Sequence, residues 1–472
     1  MGVQKNLKTL LSERSNEILK NGFAFGINIP QQRSAPLCPP QSDSTLIIVE
    51  INHTFLNKNN NPIATASYYL DRGANIIAIS AQDGFFKESI TYLMQIKNTF
   101  KKSTILRKDW IKSPEEIEVS YKIGADIVWL SIATFINQID IFETILQEIE
   151  KYQITPIFQI QNLEEFNFLK PYNPQFISLA LDSVSNRQDI FILKQEISSI
   201  SNQIKIIFQS HINNNHDGYL IGASGFDGIF FNVINQTTPL PNLIKSYKKG
   251  TKQTNIFYQK LFDNLAFKNK PLIKICGITN IDDAISCAQM GANMIGYILS
   301  AKNPKYIDNK TIKQISKALK TLYPDVLLIG VICEDSLELK NAKELLGQNI
   351  LDALQLQMPS NPPYFANQNL TQADFNFYLS TTIEKYTSLQ ESYPPFILLD
   401  SINKSPNLEK LKTFKQLFVA IQNERDLSEL LEFDIAMLDI DITKENDARK
   451  KDLEKINQII YKIKDYSKIT KH

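Results

Sequence analysis

Lys274-Ile275-Cys276-Gly277-Ile278-Thr279, led in by the apolar Pro271-Leu272-Ile273, decides how the chain is read. A short apolar run that breaks off at a cysteine, a glycine and a threonine reads as a buried strand leaving a sheet. Asn280 to Met290 then set Ile281, Ala284, Ile285 and Ala288 at helical spacing, and Gly291 to Leu299 reads as a second strand. Strand, helix and strand in about thirty residues make a βαβ unit, so the sheet is parallel here. Cys276 stands at the C-terminal end of the first strand, which is the end that carries the chemistry in a parallel barrel. By itself such a cysteine is equally a buried core thiol, because free Cys behaves as a small hydrophobe.

The same alternation fills the chain upstream. Strands are expected at 45–51, 74–80, 104–110, 124–130, 155–160, 175–181, 204–209 and 228–232, with helical stretches between them. Eight βα repeats before residue 240 make a complete barrel. Residues 1–22 predict an amphipathic helix stopped by Asn21-Gly22, and the Pro-, Gln- and Ser-rich 23–44 an irregular connector. The first strand ends in Glu50, a carboxylate that must be paired or reach water.

Composition bounds what the molecule does. A chain of 472 residues accommodates two barrels of about 220 to 250 residues each. With 51 basic against 50 acidic residues, it has no electrostatic footprint for nucleic acid or a membrane surface. Cys38, Cys276, Cys287 and Cys333 show no CxxC spacing and His53, His211, His216 and His472 no ligand spacing. Neither a disulfide framework nor a metal is expected, and a reducing cytoplasm fits. No secretory apolar segment and no membrane-spanning run is read. Glycine is scarce, 16 in all, against a usual share of about 7%. That matters because barrels that bind sugar phosphates use glycine where backbone N–H groups approach the phosphate.

Two resemblances organise these observations. Lys274 to Thr279, followed by Asp283-Ala284, Gly291-Ala292, Gly296 and Lys302-Asn303-Pro304-Lys305-Tyr306, resembles the opening of phosphoribosylanthranilate isomerase, a TIM barrel of tryptophan biosynthesis. Residues 1–245 resemble indole-3-glycerol phosphate synthase: Leu106-Arg107-Lys108-Asp109-Trp110 is close to that family's Leu-Arg-Lys-Asp-Phe, Phe85-Phe86-Lys87 follows its second strand, and Val49-Glu50-Ile51 matches its first catalytic strand. The resemblance implies two (β/α)8 TIM barrels in tandem, of class α/β. An N-terminal extension and connector (1–44) would precede a synthase-like barrel (45–245), a linker (246–270) and an isomerase-like barrel (271–472).

By resemblance, Lys108 is the general acid of a decarboxylating ring closure and Glu50 its proton-transfer partner. Cys276 is the base and Asp400 the general acid of the Amadori isomerisation of N-(5-phosphoribosyl)anthranilate. Substrate binding is expected from Lys305, Lys58, Trp110, Ser210, Asn186 and Arg187, with no cofactor and no metal. Small phosphorylated substrates and a monomer follow from the same resemblance.

Several family positions have changed. The second synthase lysine is Asn52 and the second glutamate Gln159; an amide supplies neither the charge nor the base. The Ser-Pro-Ser-Lys-Gly loop keeps only Lys58, and Gln209-Ser210-His211-Ile212 replaces Glu-Ser-Gly-Ile. Asn232 stands for a phosphate glycine, and the Asn-Asn-Arg element falls either near Asp182 or at Asn186-Arg187. In the second half Lys305 replaces an arginine and loses its planar fork. Gln357-Met358, Ser401 to Lys404 and Ala420-Ile421-Gln422 replace His-Gly and two glycine-rich loops. Asp441 replaces a serine, setting a negative charge toward the phosphate. Three readings therefore stand at this point: a bifunctional biosynthetic enzyme with the first activity impaired, a non-catalytic two-barrel scaffold, and a barrel enzyme for a substrate without phosphate.

Overall fold

The structure is a computed structural model that describes residues 7–41, 44–56, 61–180, 187–232, 238–253, 256–267, 271–332, 336–358, 370–382, 396–400, 417–421, 427, 430, 433 and 435–469. The chain divides into two compact units, Met1–Asn214 with Gly225–Thr251, and Asn215–Ser224 with Lys252–His472.

In the first unit a helix, α1 (Leu7–Asn21), precedes the barrel. The strands are β1 (Leu46–Ile51), β2 (Ile76–Ser80), β3 (Thr104–Lys108), β4 (Ile127–Ser131), β5 (Thr155–Ile160), β6 (Phe176–Ala180), β7 (Lys205–Gln209) and β8 (Gly228–Asn232). They are short, rich in Ile, Leu and Phe, and largely buried on both faces, as parallel strands covered by helices must be. Each pairs in parallel with the next, and β8 closes on β1 from Leu46↔Gly228 to Glu50↔Asn232. Gly228 permits that closure. A Cβ there would stand 2.8 Å from Leu46 Cβ and 2.9 Å from its carbonyl oxygen.

Alternate residues of every strand point inward. Ile48, Ala78, Leu106, Trp129, Ile157 and Phe230 belong to the interior cluster. The same parity, carried to the C-terminal strand ends, puts Glu50, Lys108, Gln159 and Gln209 at the barrel mouth. The connector is fastened at the other end through the buried Asp126. Its Oδ1 accepts from Arg33 Nη2 at 2.5 Å and from Cys38 N at 2.8 Å, and its Oδ2 from Lys97 Nζ at 2.8 Å.

The stretch read as linker is helical on both sides: Lys245, Lys248 and Lys249 lie on the helix that follows β8 (Leu240–Thr251), and a further helix (Phe257–Phe267) comes after it. The second barrel comprises β9 (Leu272–Ile275), β10 (Met294–Ile298), β11 (Leu327–Ile332), β12 (Ala353–Gln357), β13 (Phe377–Thr381), β14 (Ile397–Leu399), β15 (Leu417–Ile421) and β16 (Ile435–Ile440), closed by β16 on β9. The helix expected after the cysteine runs Ile281–Met290, capped by Asn280 Oδ1 on Asp283 N and stopped by Gly291 at φ 109°. Most of this unit's core lies between strands and helices, on residues such as Ile273, Leu328, Leu354 and Ile456. Beyond β16 the chain makes a small hairpin, β17 (Thr443–Lys444) and β18 (Asp447–Lys451), before a final helix (Leu453–Ile469). The expected α/β class, two (β/α)8 barrels in tandem, is what is observed. No described helix is long and apolar enough to cross a membrane.

Candidate active sites at the two barrel mouths

At the first mouth, Lys108 at the end of β3 and Glu50 near the end of β1 converge. Lys108 Nζ donates to Glu50 Oε2 at 3.0 Å, with both side chains nearly fully buried. The ammonium also stands over the ring of Phe230, 4.8 Å from its centroid, and 5.9 Å from that of Trp129. A buried lysine held between a carboxylate and aromatic faces is well placed to deliver a proton in a dry site.

The altered positions have acquired structural partners. Asn52 Oδ1 accepts from Phe55 N at 2.8 Å, ending β1 in a turn. Gln159 Oε1 accepts from the indole Nε1 of the buried Trp129 at 3.0 Å. Gln209 Oε1 accepts from Ser178 Oγ at 3.0 Å. Trp110 is half-buried just beyond Lys108, its N–H bonded to Asp109. Ser210 follows β7 and is half-buried, and Asn232 ends β8 exposed. Lys58, Asp182 and Asn186 lie outside the described residues; Arg187 opens a helix (Arg187–Ile200), and its side chain lies outside them too.

Behind Lys108 a charged cluster ties α1 to the barrel. Asp109 accepts from Arg14 at 2.9 Å and from Arg107 at 2.8 Å, and Arg14 also bonds Glu116. Burial works against the Asp109 carboxylate, but Arg14 and Arg107 hold its pKa well below the ordinary range. The Arg-Lys-Asp motif thus gives one residue to the mouth and two to the scaffold that orients it.

The second mouth is more richly charged. Cys276 directly follows β9 and packs with Ile298 and Val331 inside the barrel. Gly296 makes room for it, since a Cβ there would stand 3.2 Å from Cys276 Sγ. Beneath the thiol, the fully buried Lys274 Nζ donates to Asp439 Oδ2 at 2.6 Å and to Gln355 Oε1 at 2.7 Å. Tyr378 OH donates to the same Gln355 oxygen at 3.0 Å. Asp439 Oδ1 and Ser380 Oγ are buried with no hydrogen-bond partner among the described residues. Orphaned polar atoms at a barrel's working end call for a ligand or water.

Burial pushes the Cys276 thiol up to about 12; Lys274 opposes the shift while Asp439 and Asp441 reinforce it. Burial likewise raises Asp439 against the pull of Lys274, and Asp441 and Asp400 add to it. Asp400 is therefore close enough to act on Asp439, which also acts on Cys276. The expected acid and base thus both lie within electrostatic reach of one carboxylate. Asp400 itself follows β14, half-buried, and its Oδ2 accepts from Gln357 Nε2 at 3.1 Å.

Lys305 lies in the loop after β10 and gives both its hydrogen bonds, at 2.8 Å each, to the two oxygens of Asp441. Lys451 Nζ donates to Asp441 Oδ1 at 2.7 Å. The negative charge expected to stand open to the ligand is compensated by two lysines. Lys451, Lys274 and Asp439 are the functional candidates the sequence reading passed over. A lysine within an apolar strand, two residues before the cysteine expected to be catalytic, was the signal available for Lys274. Cys333, Ser401 to Lys404, Gln422 and His472 lie outside the described residues.

Comparison with known proteins finds both resemblances. Residues 42–219 match the family model of indole-3-glycerol phosphate synthase. A tryptophan biosynthesis protein of Phytophthora nicotianae is 22% identical over 281 residues, 56% of this chain and 51% of its own length. An N-(5'-phosphoribosyl)anthranilate isomerase of Aquifex aeolicus is 29% identical over 207 residues, 41% of this chain and 98% of its own length. A multifunctional tryptophan biosynthesis protein of Phanerodontia chrysosporium is 23% identical over 59% of this chain and 35% of its own length. The chain thus spans about half the length of the Phytophthora protein and about a third of the Phanerodontia one. With a synthase-family match across β1 to β7 of its first barrel and the isomerase motif opening its second, the chain resembles a fused indole-3-glycerol phosphate synthase and phosphoribosylanthranilate isomerase with altered active sites.

Proposed function

We propose that this is a bifunctional enzyme of tryptophan biosynthesis. The barrel within 271–472 isomerises N-(5-phosphoribosyl)anthranilate, and the one within 45–245 carries a reduced decarboxylating ring closure to indole-3-glycerol phosphate. The observation that carries the reading is the second mouth: Cys276 and Asp400 stand just past strands β9 and β14, both within electrostatic reach of Asp439, whose Oδ1 is buried with no hydrogen-bond partner among the described residues.

In the isomerisation Asp400 protonates the ring oxygen of the ribose as it opens, and Cys276 takes the proton from C2′ to leave the enol. Lys274 lies under the thiol and lowers the cost of its ionisation. In the ring closure Lys108 is the acid and Glu50 holds its ammonium in place. The first activity is the weaker because Asn52 and Gln159 supply no charge or base and are engaged as structural groups. The ligands are small phosphorylated molecules, and the protein acts as a cytoplasmic monomer without a cofactor.

Isomerase turnover of freshly generated phosphoribosylanthranilate tests the reading, run beside Cys276→Ala. Turnover that the substitution abolishes supports it. No turnover at high enzyme concentration, or turnover indifferent to the substitution, removes it.

A further inference from the structure

The loop after β10, the end of β16 and the β17–β18 hairpin bring charge to one point over the second barrel. Gly277 follows Cys276 with φ 67°, and a Cβ there would meet Lys305 Cδ at 3.0 Å and both Asp441 Oδ1 and Lys451 Nζ at 3.4 Å. The missing side chain leaves the space in which the three charged groups meet. Lys451 is held there by the β17–β18 hairpin: its N–H donates to Asp283 Oδ2 at 2.9 Å, and Arg449 Nη1 donates to the carbonyls of Pro304 at 3.0 Å and Tyr306 at 3.1 Å. Thr279 Oγ1 bonds the carbonyl of Arg449. The hairpin is thereby tied to the loops that carry Gly277 and Lys305. Lys451 is almost fully buried, whereas Asp441 remains about a third exposed.

Two lysines converging on a carboxylate make the arrangement that binds a free oxyanion, here with the anion supplied by the chain itself. We propose that Lys305 and Lys451 form one oxyanion cradle and that Asp441 is its resident occupant, so that an anionic ligand group enters by exchange with this carboxylate and Asp441 sets the charge the site accepts. The inference rests on reading the second barrel as a site for a small anionic substrate. Against burial, Lys451 and Lys305 keep the Asp441 carboxyl below its ordinary range, so the cradle is occupied at neutral pH. Asp441 is a specificity-determining residue in this scheme; it acts through the two lysines.

The test uses the full chain, calorimetric titration with inorganic phosphate and with benzoate at pH 8, and the variants Asp441→Asn and Asp441→Ser. Asn keeps the shape and removes the charge; thermal melting verifies that each variant folds. Removing a charge at contact distance is expected to raise phosphate affinity about tenfold or more. The gain for singly charged benzoate is expected to be smaller. Adding Lys451→Met to Asp441→Asn is expected to abolish the gain. Equal phosphate affinity in wild type and both variants overturns the proposal, as does a gain that is the same for both anions or one that survives Lys451→Met. Isomerase turnover measured in parallel separates the two readings: turnover without the affinity gain removes the cradle alone, and the gain without turnover removes the isomerase reading alone.

Discussion

At the residue scale, Cys276 is governed by burial. A thiol raised to about 12 is protonated at neutral pH. The thiolate fraction then rises about tenfold per pH unit below that value, and isomerase kcat/KM is expected to climb with it from pH 7 to 9. A pH–rate profile that levels off by pH 8 would mean that another group is the base. Lys274 and Asp439 pose a second test. Burial opposes the ammonium of Lys274, yet Asp439 and its neighbours carry its pKa well above the ordinary value. Lys274→Met strands a buried carboxylate and is expected to lower stability by about 3–5 kcal/mol in urea titration. Replacing both partners, Lys274→Met with Asp439→Leu, is expected to recover most of that loss. These residues show the limit of reading by type. Cys276 and Asp400 were legible because they end apolar strands. Lys274 was not, because a lysine in a strand reads as solvated until the barrel closes around it.

At the scale of elements, α1 is docked by charge as well as by apolar contact. Arg14 serves both Asp109 and Glu116, each almost wholly buried. Arg14→Ala leaves two carboxylates with fewer partners, and a loss of about 3–5 kcal/mol in the first barrel's unfolding transition is expected. The sign with pH follows from Asp109. A carboxyl held below its ordinary pKa contributes stability that is whole above that ordinary value and fades as pH falls through the lower, folded one. The wild-type transition is thus expected to weaken with acid below about pH 4, and less so in the variant. The closure strands offer a steric counterpart. Gly228→Ala forces a Cβ against the Leu46 backbone, and a cost of about 1–3 kcal/mol is expected by denaturant titration. The helix after Cys276 was readable from Ile281, Ala284, Ile285 and Ala288, because the spacing of apolar residues is local. The β17–β18 hairpin was not, because its importance lies in the distant loops it holds.

At the scale of the whole molecule, the two mouths belong to separate barrels, each with its own proposed acid. Lys108→Ala is expected to remove whatever ring closure the first barrel performs and to leave isomerase turnover within about twofold of wild type. Loss of both activities together would contradict that separation. The sequence by itself determined the eightfold alternation of strand and helix in the first half, the βαβ unit that opens the second, the strand ends that carry Glu50, Lys108, Cys276 and Asp400, and the positions where family residues were exchanged. Periodicity, caps and short motifs are local, so they survive in one dimension. Only the tertiary structure decided that Gln159 is bound to Trp129, that Lys274 lies inside the barrel on Asp439, and that Asp441 is neutralised by Lys305 and Lys451. Those pairings join residues 30, 165, 136 and 10 positions apart, and their charges acquire partners only when closure of the sheet and its loops brings them within hydrogen-bonding distance.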